Sequence, residues 1–447
     1  MSRIAVLGGG ISGLAAAWKA QKRGAEVSLF EASDRIGGVI RSVRRDGFLV
    51  DEGPNTLVAR HAVVGETIEA LGLEEDRVWA DENSAHRYVV RDGVPVALPS
   101  SPGSFLKTSL FSARGKLRLL REPFIGPSDA DDEPLSDFVR RRLGSEVLDY
   151  AVDPFVGGIL AGDPARLSTR YAFPPLWEVE QSHGSLFRGM LSKARNRKDA
   201  PPSSRPFSFR DGMQTLPDAL ARILGGAIYT DAPVVTLSRG SGSWAVTTQQ
   251  AGETRTEHFD KVISALPLHR FADLDIDAEI DRAALDAVAH TDLSVLALGF
   301  RRDQVEHPLD GFGLLVPSRE PFEVLGVLFS SSLFPGRAPE GHVLLTCFVG
   351  GRRKPEQASL PPDRLLALAL GDLRALLGVR GEPLFTHRAS WKQVIPQAEI
   401  GYGRVLDAIS TIEEQHPSLG FAGSYRYGVS VGDALRSGLD AADRLLA

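Results

Sequence analysis

The sequence contains a single cysteine, Cys347, among its 447 residues. One cysteine cannot form an intrachain disulfide, so the composition favours a reducing compartment. Because Cys347 lies within an apolar run typical of a strand, we interpret it as a small buried hydrophobic residue and not as a reactive thiol.

The sequence also lacks long apolar runs and an excess of basic over acidic residues. No stretch approaches the ~20 apolar residues of a membrane-spanning helix. The 51 Lys and Arg residues are outnumbered by 57 Asp and Glu, giving a net charge of −6, which argues against a nucleic-acid partner. The first motif begins at residue 8, which leaves no room for a signal or transit peptide. We therefore expect a cytoplasmic protein, either free or peripheral on the inner face of the cell membrane.

Histidines are few and scattered, 10 in the whole chain. Their positions indicate neither a metal-binding cluster nor a Ser-His-Asp arrangement, so we expect no bound metal and no protein nucleophile.

Glycine, by contrast, is abundant, and its most informative cluster lies near the start of the chain. An apolar run at residues 4–7 predicts a buried parallel strand, and G-x-G-x-x-G follows it with glycines at positions 8, 10 and 13. A helical pattern comes next, and Glu31 ends the following strand. This arrangement predicts a dinucleotide site, with the pyrophosphate at the helix N-terminus and the ribose hydroxyls on Glu31.

The residues after Glu31 separate FAD from NAD. They read E-A-x-x-R-x-G-G, with Arg35 before Gly37 and Gly38. This segment resembles the second phosphate-binding motif of flavoproteins of the amine oxidase and phytoene desaturase superfamily. The resemblance implies non-covalently bound FAD held by Gly8, Gly9, Gly10, Ile11, Ser12, Gly13, Glu31, Ala32, Arg35, Gly37, Gly38, Val39, Gly53, Pro54, Asn55, Thr56, Val234, Trp391, Val429, Ser430 and Val431.

The predicted fold class is α/β with a domain organisation in which the cofactor domain is discontinuous. We expect a Rossmann-like FAD-binding domain built from residues 1–85, 207–274 and 385–447. A mainly helical, membrane-facing domain would occupy residues 86–206, and an α+β substrate-binding domain residues 275–384. Within the helical part, residues 188–206 carry several arginines and lysines followed by a Pro- and Ser-rich stretch at 201–204, a composition that predicts a solvated, mobile linker.

Residues 105–124 interleave leucine and phenylalanine with lysine and arginine. Such basic amphipathic segments lie either on a membrane interface or against the protein's own core. Both interpretations stay open on sequence alone.

Several later segments resemble one family, the oxygen-dependent porphyrinogen oxidases of haem synthesis. The resemblance runs from residue 4 to near the C-terminus. The segments that carry it lie at residues 52–55, 158–168, 311–318, 395–397 and 428–433. The resemblance implies the FAD-dependent oxidation of protoporphyrinogen IX to protoporphyrin IX by molecular oxygen, with six electrons removed in three hydride transfers to flavin N5 and hydrogen peroxide formed.

The same resemblance implies a substrate site and several partners. The residues expected to contact substrate are Gly158, Phe312, Gly313, Leu315, Val327, Phe348, Ile395 and Lys107. Lys107 is included because many family members carry an arginine shortly after the Leu98-Pro99 pair, and this chain has none there. The family also suggests a homodimer and contact with the next enzyme of the haem pathway.

Three other functions remain compatible with the sequence. The first is oxidation of coproporphyrinogen III, a porphyrinogen with four propionates instead of two. The second is an amine oxidase or carotenoid desaturase, although Cys347 is wrongly placed for the covalent flavin link of some amine oxidases. The third is a non-catalytic FAD-binding protein.

Overall fold

The computed structural model describes residues 1–84, 86–195, 205–240, 242–250, 252–277 and 280–447. Residues 196–204 of the predicted linker therefore lie outside the described residues. The prediction is wrong for residues 188–195, which belong to the helix Leu186–Arg195 because apolar residues recur there at helical spacing. The chain begins in a parallel sheet. Its strands lie in the order Leu419–Phe421, Lys261–Ser264, Arg3–Leu7, Glu26–Phe30 and Ile228–Tyr229. The central strands are almost fully buried, as expected for a parallel sheet covered on both faces. Segments far apart in sequence thus build one cofactor-type sheet, which confirms the predicted α/β fold.

Two helices pack closely on one face of the parallel sheet. They are the first helix, Ile11–Lys22, and the C-terminal helix, Val431–Leu446. A Cβ built on Gly438 would lie 2.0 Å from the Ser12 carbonyl oxygen, and one built on Gly13 would lie 1.9 Å from that of Gly8. Glycine is therefore required at both positions, because the two helices and the sheet meet backbone to backbone.

The other face of the parallel sheet packs against a second layer. This layer contains the four-stranded sheet, in the order Glu253–Phe259, Trp244–Gln250, Val234–Arg239 and Asp275–Asp277. Its apolar core includes Trp244, Phe259 and Phe271. Shorter antiparallel pairs join Ser42–Arg45 to Phe48–Asp51 and Arg77–Trp79 to Phe207–Phe209.

The largest sheet, termed here the seven-stranded sheet, forms the second half of the molecule. Its strand order is Phe385–Pro396, His290–Arg301, His342–Gly350, Val324–Leu328, Gly311–Leu315, His86–Arg91 and Val94–Ala97. On one face of the seven-stranded sheet, the helix Pro362–Leu377 packs into the apolar core. The opposite face is left available to form the wall of a cavity.

Strand pairing differs from the predicted division in two places. The hairpin of His86–Arg91 and Val94–Ala97 was assigned to the helical domain, yet His86–Arg91 pairs in parallel with Gly311–Leu315. Phe385–Pro396 was assigned to the cofactor domain, yet it pairs with His290–Arg301. Both segments belong to the seven-stranded sheet because long-range backbone hydrogen bonds, which have no local sequence signal, decide sheet membership. The overall domain division stays a prediction.

Residues 102–195 are mainly helical. A π-helical turn, Leu148–Val152, leads directly into the helix Asp153–Leu160. The buried side chain of Arg142 bonds to the buried carboxylates of Glu122 and Glu180, which joins helices whose backbones share few contacts. The α-helices of this region are Pro102–Lys107, Ala113–Leu119, Leu135–Arg142, Ser145–Val147, Asp153–Leu160, Thr169–Ala172, Pro174–His183 and Leu186–Arg195.

The remaining α-helices connect the sheets: Ala62–Ala70, Thr215–Leu224, Leu268–Ala272, Arg282–Asp286, Ser330–Leu333, Gly403–Gln415 and Ser424–Tyr427. Across the part of the chain that the structure describes, none of the helices combines the length and the apolar composition needed to cross a membrane.

Candidate functional site

One cavity of about 1000 Å³ runs from the parallel sheet to the seven-stranded sheet. The nucleotide end lies at Gly8 and Glu31, and the apolar end lies at Phe312 and Phe348. A single continuous space therefore reaches both the residues expected to hold a cofactor and those expected to hold a substrate.

The nucleotide end is formed by the turn between the first strand and the first helix. Gly10 is the N-cap of that helix, and a Cβ built on it would meet no atom within 4 Å, because the residue faces open cavity. Gly8 has a φ of 101°, which only glycine adopts without strain. The turn thus exposes backbone N–H groups and the positive end of the helix dipole to the cavity, as a pyrophosphate requires.

Glu31 lies beside this turn, at the end of the second strand. Its carboxylate accepts hydrogen bonds from the N–H of Gly9 at 2.7 Å and from the hydroxyl of Ser33 at 2.7 Å. The backbone N–H of Ser33 donates at 2.9 Å to the same oxygen as its hydroxyl. These bonds fix the carboxylate at the cavity wall, and the oxygen that accepts the Gly9 N–H retains a lone pair for a ribose hydroxyl.

Arg35 orders the loop that follows. Its guanidinium donates hydrogen bonds to the carbonyl oxygens of Ile36, Gly38 and Ile40. Burial, and then the nearby Arg41, lower the pKa of Arg35 from its ordinary value. Arg35 therefore holds the glycine loop in shape and places a positive charge beside the nucleotide end.

The middle of the cavity is defined by Trp391 and the loop at Gly53. The indole N–H of Trp391 donates to the carbonyl oxygen of Glu52 at 2.8 Å, and the Glu52 carboxylate bonds to His387 at 2.7 Å. A Cβ built on Gly53 would lie 2.0 Å from the Val39 carbonyl oxygen. Close packing of two loops thus requires this glycine and sets the indole against the cavity.

The C-terminal helix also begins at the cavity. Its N-cap, Ser430, accepts a hydrogen bond from the Asp433 N–H at 3.1 Å, and the Asp433 carboxylate bonds to His61 Nε2 at 2.9 Å. Val431 lies in the first turn and lines the cavity. The free N–H groups of this turn can stabilise negative charge on a bound group by ~0.3–1 kcal/mol.

The predicted cofactor residues converge on this space. The cavity wall includes Gly8, Gly10, Ile11, Ser12, Glu31, Ala32, Gly37, Gly38, Val39, Gly53, Pro54, Asn55, Thr56, Val234, Trp391, Val429 and Val431. Gly9, Gly13, Arg35 and Ser430 support the wall through the contacts described above without lining it. Their individual roles toward a cofactor stay predictions.

The predicted substrate residues divide into two groups. Gly158, Phe312, Phe348 and Ile395 line the apolar end of the cavity. Gly313, Leu315, Val327 and Lys107 are not part of the wall. The side chains of Leu315, Val327 and Lys107 lie outside the cavity.

Packing explains why these four residues lie elsewhere. Gly313 faces the neighbouring strand, where a Cβ would lie 2.3 Å from the Val327 carbonyl oxygen. Leu315 packs over Gly158, and Val327 is buried in the core beneath the sheet. Lys107 is exposed on a short surface helix.

Arg87 lies beside the site without lining the cavity, and the motifs did not single it out. Its guanidinium carbon lies 5.2 Å from the centroid of the Phe312 ring, although the rest of the side chain is exposed. The sequence around Arg87 gives little indication of this contact, because Arg87 lies in an ordinary hairpin. It reaches Phe312 only through the parallel pairing of two distant strands.

His290 is a second residue that the motifs did not single out, and it lines the cavity. Its Nδ1 lies 2.8 Å from the carbonyl oxygen of Val288, so this nitrogen carries the hydrogen. Burial, and then the neighbouring His269, lower the pKa of His290 to about 4. The ring is therefore neutral at pH 7.

Comparisons with known proteins agree with this geometry. The family described as flavin containing amine oxidoreductase matches residues 11–446. The chain is 39% identical over 476 residues to protoporphyrinogen oxidase 2 of Arabidopsis thaliana, covering 99% of this chain and 94% of that protein. It is 28% identical over 462 residues to coproporphyrinogen III oxidase of Bacillus subtilis, covering 97% and 96% of the two chains.

A solved structure shares the whole fold. The crystal structure of a protein from Exiguobacterium sp. 255-15, provisionally named a protoporphyrinogen oxidase, superposes with a TM-score of 0.85 at 26% identity. The comparison covers 100% of this chain and 98% of that chain. The fold that forms the cavity is therefore shared with this solved structure.

The residues at the nucleotide end fit FAD. Gly10 leaves open space where a pyrophosphate approaches the backbone, Glu31 offers a carboxylate for ribose, and two helix N-termini face the same cavity. When FAD is bound, it would serve as the hydride acceptor. Taken with the family match over residues 11–446, these features show that the chain belongs to the flavin-containing amine oxidoreductase family and is an FAD-dependent oxidoreductase.

Proposed function

We propose that this protein oxidises protoporphyrinogen IX to protoporphyrin IX in haem biosynthesis. The observation that carries the proposal is the continuity of the cavity, which extends from the nucleotide end into an apolar chamber bounded by Gly158, Phe312 and Phe348. A porphyrinogen is a wide apolar macrocycle with carboxylate arms, and such a ligand needs a large pocket with few polar groups. The Arabidopsis relative, named protoporphyrinogen oxidase 2, supports the same substrate.

The apolar end acts on the substrate by shape and by exclusion of water. Val295 and Phe348 are directly opposite each other on adjacent strands, so their side chains form one continuous surface. Gly158 lines the chamber without a side chain, and we propose that its backbone carbonyl approaches the pyrrole N–H groups. The walls therefore hold the ring against the cofactor end, and dry surroundings favour hydride transfer over side reactions.

Arg87 gives the chamber a cation for a propionate. Its guanidinium lies over Phe312 and is otherwise exposed, which leaves its donors free for a planar carboxylate. Among the described residues that line the cavity, Arg270 is the one arginine or lysine, and its guanidinium lies 3.8 Å from the carboxylate of Asp273. This low positive charge suits the two propionates of protoporphyrinogen better than the four of coproporphyrinogen.

An anaerobic titration tests the proposal. FAD-loaded protein is mixed with protoporphyrinogen IX or, separately, coproporphyrinogen III, while flavin absorbance and porphyrin fluorescence are followed together. We expect both porphyrinogens to bleach the flavin, with the higher kcat/KM for protoporphyrinogen. A preference for coproporphyrinogen, the substrate named for the Bacillus relative, would mean that coproporphyrinogen III and not protoporphyrinogen IX is the substrate of this protein. Inertness toward both would overturn the proposal in favour of an amine or polyene substrate, or of a non-catalytic FAD-binding protein.

We further propose that the protein uses molecular oxygen as acceptor, forms a homodimer, and works at the inner face of the cell membrane beside the next haem-pathway enzyme. The family resemblance supports the acceptor and both partners. Oxygen consumption with equimolar peroxide tests the acceptor, and light scattering after gel filtration tests the dimer.

The membrane part of the proposal rests on one surface, termed here the 106–124 patch. Leu106, Leu117, Leu120 and Phe124 are 65–87% exposed, although residues of this type are usually buried. Leu117, Leu120 and Phe124 are spaced three and four residues apart on successive turns, which places them on one side. The interleaved cations Lys107, Arg114 and Arg121 are also exposed, a combination that suits an anionic lipid surface.

A further inference from the structure

We propose that Asp153 is a positioning residue that fixes the three elements of the substrate chamber relative to one another, and so determines how tightly the macrocycle is held. The inference rests on the proposed function for its substrate. It differs from that function in concerning a carboxylate that lies outside the cavity wall.

Asp153 lies at the start of the helix Asp153–Leu160 and is 5% exposed. One of its oxygens accepts the backbone N–H of Ser318 at 2.7 Å, and the other accepts the Ser318 hydroxyl at 3.2 Å. The guanidinium of Arg353 also bonds to this carboxylate. A single buried group thus receives donors from two other segments.

Each of the three segments carries a wall of the chamber. The helix that begins at Asp153 carries Gly158. Ser318 follows the strand Gly311–Leu315, which carries Phe312, and Arg353 follows the strand His342–Gly350, which carries Phe348. Asp153 is therefore the point at which the three elements are joined.

The far end of the helix is held independently. Ala161 ends the helix with a φ of 49°, and its carbonyl oxygen accepts the backbone N–H of Arg352 at 2.7 Å. Arg352 in turn bonds to Glu399. The C-terminal end of the helix is thus tied to the backbone after residue 350, and Asp153 ties its N-terminal end.

A carboxylate is required at Asp153 because every group that contacts it donates. An asparagine has the same shape but offers one acceptor oxygen and an NH₂ group in place of the second oxygen. Whichever way the amide turns, its NH₂ group faces either Arg353 or the Ser318 N–H, so one of these donors loses its acceptor. The ion pair with Arg353 is lost in either orientation, because the amide carries no charge.

A neighbouring pair provides a matched control. Asp149 lies one turn earlier, on the π-helical turn, and bonds to Arg319, the residue after Ser318. This pair joins the same two segments, but the Arg319 side chain is 56% exposed, and exposed ion pairs contribute little. The two variants therefore make the same change of charge one helical turn apart, whereas the burial of the two carboxylates differs.

The experiment compares Asp153→Asn with Asp149→Asn in the FAD-loaded protein. For Asp153→Asn we expect the KM for protoporphyrinogen IX to rise about ten-fold with kcat changed less than about three-fold, because misplaced walls weaken substrate binding while the cofactor end is untouched. Asp149→Asn should leave both parameters near those of the unchanged protein. An unchanged KM for Asp153→Asn, or an equal rise in both variants, would overturn the proposal.

Amide hydrogen exchange separates this inference from the proposed function, because it requires no turnover. In Asp153→Asn we expect faster exchange confined to residues 153–162, 311–320 and 342–354, with the parallel sheet unchanged. Uniformly faster exchange would mean a general loss of stability and would contradict a positioning role. If the unchanged protein oxidises no porphyrinogen, the proposed function fails, while the exchange pattern still decides whether Asp153 joins the three elements.

Discussion

At the scale of single residues, Arg87 and Lys107 are alternative candidates for the cation that binds a propionate. The structure places Arg87 over a cavity-lining ring and leaves Lys107 on the surface. We expect Arg87→Ala to raise the KM for protoporphyrinogen IX about ten-fold or more, because a hydrogen bond to a charged group is worth ~1.5–3 kcal/mol. Steady-state kinetics check this, with Arg87→Lys as the partial replacement. A larger effect from Lys107→Ala than from Arg87→Ala would restore the expectation from sequence.

His290 predicts how stability depends on pH. Its pKa is about 4 in the folded protein, against ~6.5 when unfolded. The unfolded chain therefore binds more protons between these values, and the contribution of His290 to stability, present above pH 6.5, is lost as the pH falls toward 4. The neighbouring His269 adds to this shift, and Asp286 opposes it.

The comparison variant is His290→Asn, whose amide can keep the bond to the Val288 carbonyl but cannot titrate in this range. Between pH 7 and pH 5 we expect the unfolding free energy of the unchanged protein to fall by about 1 kcal/mol more than that of the variant, after allowance for partial exposure of the ring. Urea unfolding with FAD in excess measures the difference. Equal pH dependence in the two proteins would show that His290 does not carry it.

At the scale of elements, the turn before the first helix makes the sharpest prediction. In Gly13→Ala the new Cβ would lie 1.9 Å from the Gly8 carbonyl oxygen, so helix and strand must separate. We expect FAD affinity to fall at least about ten-fold and stability to fall by about 1–3 kcal/mol. FAD fluorescence after desalting and thermal unfolding measure the two effects.

Gly371→Ala is the matched control for Gly13→Ala. Gly371 also lies within a helix, Pro362–Leu377, but a Cβ there would meet no atom within 4 Å. Alanine at such a position is worth about 0.5–1 kcal/mol through helix propensity. We therefore expect higher stability and unchanged FAD content. Loss of FAD in this variant as well would mean that any added methyl in a helix disturbs the cofactor site.

Elements with a strong local signal could be predicted from sequence, and elements defined by distant pairing could not. The first strand, the glycine turn and the first helix follow from apolar runs and glycine spacing within residues 3–22. The placement of His86–Arg91 in the seven-stranded sheet depends on Gly311–Leu315. The role proposed for Arg87 depends on that pairing, so no local pattern could have indicated it.

At the scale of the whole molecule, buried polar contacts join the cofactor and substrate halves. Asp51, on a short strand near the glycine loop, lies 3.1 Å from the guanidinium of Arg337, which also donates to the Ser208 hydroxyl. Burial raises the pKa of Asp51, while Arg337 lowers it. Removing one partner of such a pair costs ~3–5 kcal/mol. The cavity walls contributed by the two halves are therefore held in a fixed relation, which hydride transfer between them requires.

The exposed apolar side chains of the 106–124 patch predict how the whole molecule meets a lipid surface. Transfer of each large apolar side chain from water into the interface is favourable by up to ~1.5–3 kcal/mol, and the neighbouring cations add attraction to anionic headgroups. We therefore expect the FAD-loaded protein to sediment with vesicles containing phosphatidylglycerol, and to do so less at high salt or with vesicles of phosphatidylcholine alone.

A triple variant, Leu117→Gln with Leu120→Gln and Phe124→Ser, should lower vesicle affinity at least about ten-fold, since three apolar contacts are removed at once. The matched control is Ile223→Gln with Leu384→Gln, two exposed residues on other parts of the surface, which should leave sedimentation unchanged. Because all five side chains are exposed, neither variant is expected to unfold the protein. Equal binding by both variants and the unchanged protein would assign the patch to a protein partner, such as a second copy of this chain, and a shift of the triple variant to monomer in gel filtration would identify that partner.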